Sequence, residues 1–122
     1  MNRSTNIKDD SLPLIEEIAN ELKLYGNDVA VCYGQVYSSV MFHYDGKIGS
    51  VAVWGGVLYW RRRFGEDKSY EVIPDSNLSI YEQAEQVLAM PITDRNGEPV
   101  KECGSLEDLV NNPYFKGIYT IV

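Results

Sequence analysis

The chain has 122 residues and a formal net charge of −7, with 44% hydrophobic and 24% charged residues. This length and composition are typical of one globular domain, and no apolar run approaches the about 20 residues of a membrane span. The acidic balance excludes a general duplex-DNA binder, which needs a broad basic face. The polar N-terminal stretch lacks the apolar core of a signal peptide, so we expect a cytoplasmic protein without membrane contact.

The first predicted element is a helix between Asp10 and Tyr25. Apolar residues recur three to four positions apart in this stretch, at Ile15, Ile18 and Leu22. This spacing places them on one face of a helix, which can pack against a core. The polar residues 1–8 that precede the helix are expected to be disordered.

After the helix, the hydrophobic period changes to that of a strand. Residues 28–64 contain four alternating stretches, for which we predict strands at 28–33, 36–44, 47–54 and 57–64. Asp45-Gly46 and Gly55-Gly56 are dipeptides typical of two-residue hairpin turns. The region is therefore predicted to form a four-stranded antiparallel meander.

The second half of the chain predicts a short strand, two helices and a C-terminal strand. The short strand is "SYEVI" at residues 69–73, and the chain ends on "GIYTIV" at 117–122. Ser79–Glu82 and Ser105–Asp108 each have the form of a capping box, which starts a helix. We therefore predict an α+β fold with one antiparallel sheet, an N-terminal helix, and two later helices packed on the same face.

The two hairpin turns also predict the register of the sheet, because a two-residue turn pairs the residues on either side of it. Trp54 then lies opposite Val57, and Phe42 lies opposite Gly49. Since side chains alternate across a strand, one face becomes the predicted core. Its members are Val40, Phe42, Val51, Val53, Leu58, Trp60 and Phe64.

The opposite face carries aromatic residues next to arginines, which is unusual in an acidic chain. Its predicted binding residues are Tyr37, Trp54, Tyr59, Arg61 and Arg63. Tyr, Trp and Arg are enriched in binding hot spots, and the same set can stack a base and neutralise a phosphate. We therefore predict that this face binds a protein partner or a nucleotide-like anionic ligand. Arg62 points to the core side and is expected to reach water along its stem.

The same outer face also predicts self-association. With Tyr37, Met41, Ile48 and Trp54 it is apolar enough to be costly in water, so a second copy would cover it in a homodimer. The alternative interpretation makes the arginines structural, because they would discourage edge pairing or pair with the acidic C-terminal half of the chain. Internal pairing of the arginines would favour that alternative.

The sequence contains no familiar motif for catalysis or metal binding. It has no P-loop and no nucleophile elbow, and Cys32 and Cys103 lack the spacing of metal ligands. We interpret both cysteines as free thiols of a reducing compartment. His43 with a nearby carboxylate is the best catalytic candidate, although a surface position is the more common outcome for a histidine beside a turn. We therefore expect no catalytic residues, no metal and no cofactor.

Two functions are carried forward as hypotheses. The first is a small non-catalytic protein that binds a macromolecule, as an inhibitor, an immunity or phage-type anti-defence protein, or a chaperone. Small acidic proteins with comparable sheets occur in these classes, which is an analogy of fold and composition only. The second is a protein that sequesters a small ligand or nucleotide, which a pocket of about 300 Å³ or more beside the arginines would favour.

Overall fold

The structure is a computed structural model. It describes residues 3–34, 38–64, 69–98, 105–113, 115 and 117–122, and for residues 3–13 the backbone alone. The elements in chain order are α1 (Arg3–Leu24), β1 (Asp28–Tyr33), β2 (Ser38–Tyr44), β3 (Lys47–Trp54), β4 (Val57–Arg63), β5 (Ser69–Val72), α2 (Ile80–Ala89), α3 (Leu106–Val110) and β6 (Thr120–Ile121).

The strands form one open antiparallel sheet of six strands, in the order β5-β4-β3-β2-β1-β6. The predicted meander is its centre, since β1, β2, β3 and β4 pair in succession. The short strand β5 extends the sheet beside β4, and the C-terminal strand β6 extends the other edge beside β1. The predicted α+β class with a single antiparallel sheet is confirmed.

Both predicted hairpin turns are present, and each is two residues long. Asp45 and Gly46 have φ angles of 52° and 75°, and Gly55 and Gly56 have φ angles of 59° and 78°. Two successive positive φ angles are typical of a type I′ turn, whose twist matches that of the paired strands. The register across β2, β3 and β4 is consequently the predicted one.

The face of the sheet predicted to be the core is covered by α1 and α2. Ile15, Ile18 and Leu22 of α1 are fully buried against it, as their spacing predicts. The buried sheet residues of this face are Val40, Phe42, Val51, Val53 and Trp60. Leu58 and Phe64 were predicted to belong to the core, but both are half-buried. Strand β5 ends before it reaches Leu58, and Phe64 stacks on Tyr70 of β5, with 4.8 Å between the ring centroids.

Helix α1 begins at Arg3, well before the predicted start at Asp10. The structure thus differs from the disorder expected for residues 1–8, of which 1–2 lie outside the described residues. The stretch from Arg3 to Asp10 contains no glycine or proline, so the helix can propagate toward the N-terminus from its packed part. Within the described part of the chain, neither α1 nor any other helix is long and apolar enough to cross a membrane.

The start of α2 is set by the predicted capping box. The backbone N–H of Glu82 donates to Ser79 Oγ at 3.2 Å, and the backbone N–H of Ser79 donates to Glu82 Oε1 at 3.3 Å. These two bonds satisfy donors that a helix N-terminus leaves without intrahelical partners. The inward face of α2 then buries Ala84 and Val87 in the core beside α1.

Helix α3 packs on the opposite face of the sheet, so the prediction that both later helices share one face is wrong for α3. Its Leu106 and Leu109 form a second core with Met41 and Ile48 of the sheet. The reason is the position of β6, which pairs with β1 at the far edge. The chain reaches that edge across the outer face, where apolar side chains require cover.

Burial of the outer face by the chain's own C-terminal part removes most of the reason for a homodimer. Met41 and Ile48 are 0% and 3% exposed, although the dimer argument treated both as exposed apolar residues. Tyr37 lies outside the described residues. Of the four residues in that argument, Trp54 is the one that the structure describes as exposed.

Candidate functional site: an aromatic and arginine face

The β3–β4 hairpin positions the predicted binding residues. Ala52 lies opposite Tyr59, and Ser50 lies opposite Arg61, as the register predicts. Small side chains of β3 therefore lie beside the large side chains of β4. Because alternate residues of a strand share a face, Trp54, Tyr59 and Arg61 all lie on the outer face of the sheet.

The aromatic residues of this face remain accessible to solvent. Trp54 is 54% exposed, Tyr59 is 44% exposed, and Val57, which is paired with Trp54, is 51% exposed. We call Trp54, Val57 and Tyr59 the aromatic cluster. Tyr37, which was predicted to belong with them, lies outside the described residues. The cluster is thus a continuous apolar area at the tip of the β3–β4 hairpin.

Arg61 is exposed beside this cluster, and its charge is available to an external group. Its Nη1 donates to Ser69 Oγ at 3.0 Å. Glu71 is its cross-strand partner on β5, yet among the described residues no carboxylate oxygen lies within 4.0 Å of the guanidinium. The alternative interpretation, in which the arginines are structural and form ion pairs with the acidic C-terminal half of the chain, is therefore not supported by the contacts of Arg61.

Arg63 differs from Arg61 because it is half-buried and fastens the C-terminal segment to the sheet. Its Nε donates to Ser50 Oγ at 2.9 Å. Its guanidinium lies 5.4 Å from the ring centroid of Phe115, which is a cation–π contact. Phe115 packs edge-on against Tyr119, with 5.6 Å between the ring centroids. These contacts give Arg63 a structural part in the site, in addition to the predicted part in binding.

Arg62 is 0% exposed, so the expectation that it reaches water is wrong. Its Nε donates to the carbonyl oxygen of Met90, and its Nη1 donates to the carbonyl oxygens of Ile48 and Arg63, each at 3.1 Å. Met90 is the C-cap of α2, so the positive charge lies at the negative end of the helix dipole. Backbone carbonyls therefore take the place of water around this guanidinium.

An open groove of about 320 Å³, which we call the outer groove, lies between the arginines and the aromatic cluster. Trp54, Tyr59, Arg61 and Arg63 line it together with the small side chains of β2 and β3. Tyr119 is also part of its lining, and its hydroxyl donates to Ser39 Oγ at 3.0 Å. The sequence analysis missed Tyr119, because only the path of the C-terminal segment brings it here.

A second open groove, of about 450 Å³, lies where β4 meets β5, and we call it the edge groove. Its lining on one side is Val57, Leu58, Tyr59 and Trp60 of β4, and on the other side includes Ile73 and Pro74. Tyr59, Trp60 and Glu71 line both grooves, so the two are adjacent across β4. The sequence analysis did not identify this groove, although Pro74 directly after a predicted strand was a visible signal that pairing stops there.

The sequence analysis named His43, together with a nearby carboxylate, as the best catalytic candidate, and the structure places a carboxylate beside it. Its Nδ1 lies 3.4 Å from Oδ2 of Asp28, which is its cross-strand partner on β1. The histidine side chain is 15% exposed and the aspartate side chain 73% exposed, and neither residue lines the outer or the edge groove.

The cysteine that the structure describes is a free thiol. Cys32 has no disulfide partner among the described residues, as expected, and Cys103 lies outside them. Partial burial raises the pKa of the Cys32 thiol, because a less polar environment disfavours the charged thiolate. At neutral pH the residue is therefore a protonated thiol of low reactivity.

Comparison of the chain with protein-family models, with curated proteins and with solved structures finds no match. In the described part of the chain, no group of three or more His, Cys, Asp or Glu side chains is arranged to hold a metal ion. The geometry of the two grooves and of the residues around them is therefore what supports a function.

Proposed function

We propose that this protein acts by binding a macromolecular partner, without catalysis, and that the aromatic cluster together with Arg61 forms its contact surface. The observation that carries the proposal is the exposure of Trp54 and Tyr59 beside a guanidinium that no described carboxylate neutralises. Exposed aromatic area is costly in water unless a partner covers it. Trp, Tyr and Arg also contribute most of the free energy in many interfaces.

The distribution of charge favours an acidic segment on the partner. The chain carries a net charge of −7, so a positive group on the outer face is a local feature that orients the partner toward this surface. When the partner excludes water, the neighbouring aromatic rings strengthen a charge-assisted hydrogen bond from Arg61 to a carboxylate. Such a surface serves an inhibitor, an immunity or anti-defence protein, or a chaperone.

The test is capture of partners from the native host by the wild-type chain and by the double variant Trp54→Ala/Arg61→Ala. Both residues are exposed, so the variant should fold normally. We expect it to lose about 2 kcal/mol of binding free energy, which is roughly a 30-fold weaker affinity. Arg63 is left unchanged, because its bonds to Ser50 and its contact with Phe115 would confound folding with binding.

The matched control is Tyr44→Ala/Arg95→Ala, which also removes one exposed aromatic ring and one exposed arginine, but neither residue lines the outer or the edge groove. This control should retain the partner. If both double variants retain the partner with the affinity of the wild-type chain, the aromatic cluster and Arg61 are not the contact surface.

A second candidate function is the binding of a small anionic ligand in the outer groove. The observation that favours it is the volume of that groove, about 320 Å³, because ligand pockets begin near this size. A nucleoside monophosphate should then raise the melting temperature of the wild-type chain, and the increase should grow with the logarithm of ligand concentration above the dissociation constant. The same titration of Arg61→Ala should show little shift. Equal shifts for both proteins would exclude binding at this groove.

A further inference from the structure

We propose that the outer groove receives an aromatic side chain of the protein partner over Ala52, while Arg61 binds an acidic side chain two residues along the partner's chain. This inference rests on the proposed function, since it names the partner residues that the contact surface recognises. Three features carry it: the gap above Ala52, the charges that line the groove, and the distance along the sheet between that gap and Arg61.

Part of the outer groove is a gap between two tyrosines, over one small side chain. On the outer face, Ala52 of β3 lies between Ser39 of β2 and Tyr59 of β4. Neighbouring strands lie about 4.8 Å apart, so about 10 Å separates Ser39 from Tyr59 across β3. The hydroxyl of Tyr119 bonds to Ser39 Oγ, which places a second tyrosine at the far side of the gap. Ala52 itself remains partly exposed. We call this gap above Ala52, between Tyr59 and Tyr119, the aromatic slot.

The walls of the aromatic slot favour a third ring. Aromatic rings pack against each other with about 4.5–7 Å between centroids, so one ring fits in a gap of this width and contacts both tyrosines. Trp54, which follows Ala52 by two residues on the same face, bounds the slot at the hairpin end and is 54% exposed. Contacts between aromatic rings add free energy beyond the burial of apolar area. An aromatic side chain is therefore favoured over an aliphatic one.

The charges that line the outer groove favour a ligand with a single negative charge. The charged lining residues are Arg61, Arg63 and Glu71, which together carry a net charge of +1. Glu71 lies directly opposite Arg61 on β5, so an anion bound by Arg61 is also near a carboxylate. One carboxylate neutralises the groove, whereas a phosphate dianion would add an excess negative charge to a chain of net charge −7. An acidic side chain is therefore favoured over a phosphate.

The distance between the aromatic slot and Arg61 specifies the spacing of the two partner residues. Arg61 follows Tyr59 by two residues on β4, which is about 7 Å along the strand. In any extended segment, residues two apart project to the same side with this same spacing. A partner segment with an aromatic residue followed two positions later by an acidic one therefore reaches both places. Arg61 donates from Nη1 to Ser69, and its guanidinium has further N–H donors for the carboxylate.

A second copy of this chain is disfavoured as the occupant. Two chains that each carry a net charge of −7 repel one another. Phe64 does have an acidic residue, Glu66, two positions later in the sequence. However, the Phe64 ring stacks on Tyr70 of its own chain, with 4.8 Å between the ring centroids. The aromatic slot is accordingly assigned to a different protein.

The test uses capped tripeptides, titrated into the full chain and followed by the backbone amide resonances of Ala52 and Arg61. The first peptide is phenylalanine-alanine-glutamate, which should shift both resonances with a millimolar dissociation constant. Replacing its glutamate by glutamine, or its phenylalanine by alanine, should each weaken binding by about fivefold or more. A phosphoserine in place of the glutamate, and adenosine monophosphate, should both bind more weakly than the first peptide.

Two protein variants locate the ring and the carboxylate. Ala52→Leu fills the aromatic slot without removing a charge or a ring, so it should weaken the first peptide by about fivefold or more. Ala89→Leu is the matched control, because Ala89 is an exposed alanine of α2 that does not line the outer groove. It should bind as the wild-type chain does. Arg61→Gln should make the glutamate and glutamine peptides bind equally, because the charge that distinguishes them is gone.

Each outcome decides the inference. Preference for glutamate that disappears in Arg61→Gln, together with loss in Ala52→Leu but not in Ala89→Leu, supports it. It is overturned if no tripeptide binds, if the glutamate and glutamine peptides bind equally to the wild-type chain, or if Ala52→Leu binds normally.

Tighter binding of the phosphoserine peptide or of adenosine monophosphate would identify a phosphate ligand and would also overturn the inference. So would a concentration-dependent dimer that Ala52→Leu dissociates, since the occupant would then be a second copy. In all these cases partner capture with Trp54→Ala/Arg61→Ala still decides the proposed function, because that experiment does not depend on which side chains the partner inserts.

Discussion

Replacing Arg62 by methionine is expected to destabilise the fold far more than the same replacement of Arg61. Methionine has a long flexible stem and fills buried space with apolar atoms, but it cannot donate hydrogen bonds. The substitution therefore removes the donor that the carbonyl oxygens of Ile48, Arg63 and Met90 share. Arg61→Met is the matched control, because Arg61 is the adjacent residue of the same strand and is exposed.

The magnitude follows from the burial of the three acceptors. The bond to the Ile48 carbonyl is buried, so its loss leaves an acceptor without water, at a cost of about 1–3 kcal/mol. The other two bonds are part-buried, and each is worth roughly 0.5–1.5 kcal/mol. Arg62→Met should therefore lower the free energy of unfolding by about 2–6 kcal/mol, whereas Arg61→Met should change it by less than about 0.5 kcal/mol.

The assay is urea unfolding followed by tryptophan fluorescence. Trp60 is buried and packs edge-on against Phe42, with 5.9 Å between the ring centroids, so its emission reports loss of the core. The slope of the transition must stay unchanged for the midpoint to report stability alone. If Arg62→Met unfolds within about 0.5 kcal/mol of the wild-type chain, the three carbonyls do not depend on the guanidinium and the reasoning is wrong.

Three further predictions follow from the same structure. Gly49→Ala should lower stability by about 1–3 kcal/mol in thermal melts, because its Cβ would lie 2.6 Å from Cζ of Phe42; an unchanged melting temperature would show that the ring moves aside. Phe115→Ala should cost about 3–5 kcal/mol in urea unfolding, since it empties the second core beside Met41; a loss under about 1 kcal/mol would mean that this core is dispensable. Burial raises the pKa of the Cys32 thiol, so alkylation of Cys32 by iodoacetamide at mildly alkaline pH, followed by peptide mass spectrometry, should be slower in the folded chain than in urea. Equal rates would contradict the burial.

The sequence by itself determined the centre of the sheet, its register and the helices that cover its first face. Asp45-Gly46 and Gly55-Gly56 signal two-residue turns, and such a turn couples strands that are adjacent in the chain. The alternation of side chains then assigns Trp54, Tyr59 and Arg61 to one face. The stripe of α1 and the capping box of α2 are likewise local signals, because each involves residues within a few turns of one helix.

Only the tertiary structure decided the contacts between residues distant in the chain. Alternation separates Arg62 from Arg61 and Arg63 but does not show what each one contacts. Arg61 is exposed, Arg62 is enclosed by carbonyls of β3, β4 and the end of α2, and Arg63 lies over Phe115. Likewise, the periodicity of α3 shows which of its sides is apolar but not which face of the sheet that side covers. Pairing of β6 with the far edge decided this, and it also brought Tyr119 to the outer groove. Local periodicity reports which side of an element is apolar, whereas the element that packs against that side depends on chain topology and on which apolar surface remains uncovered.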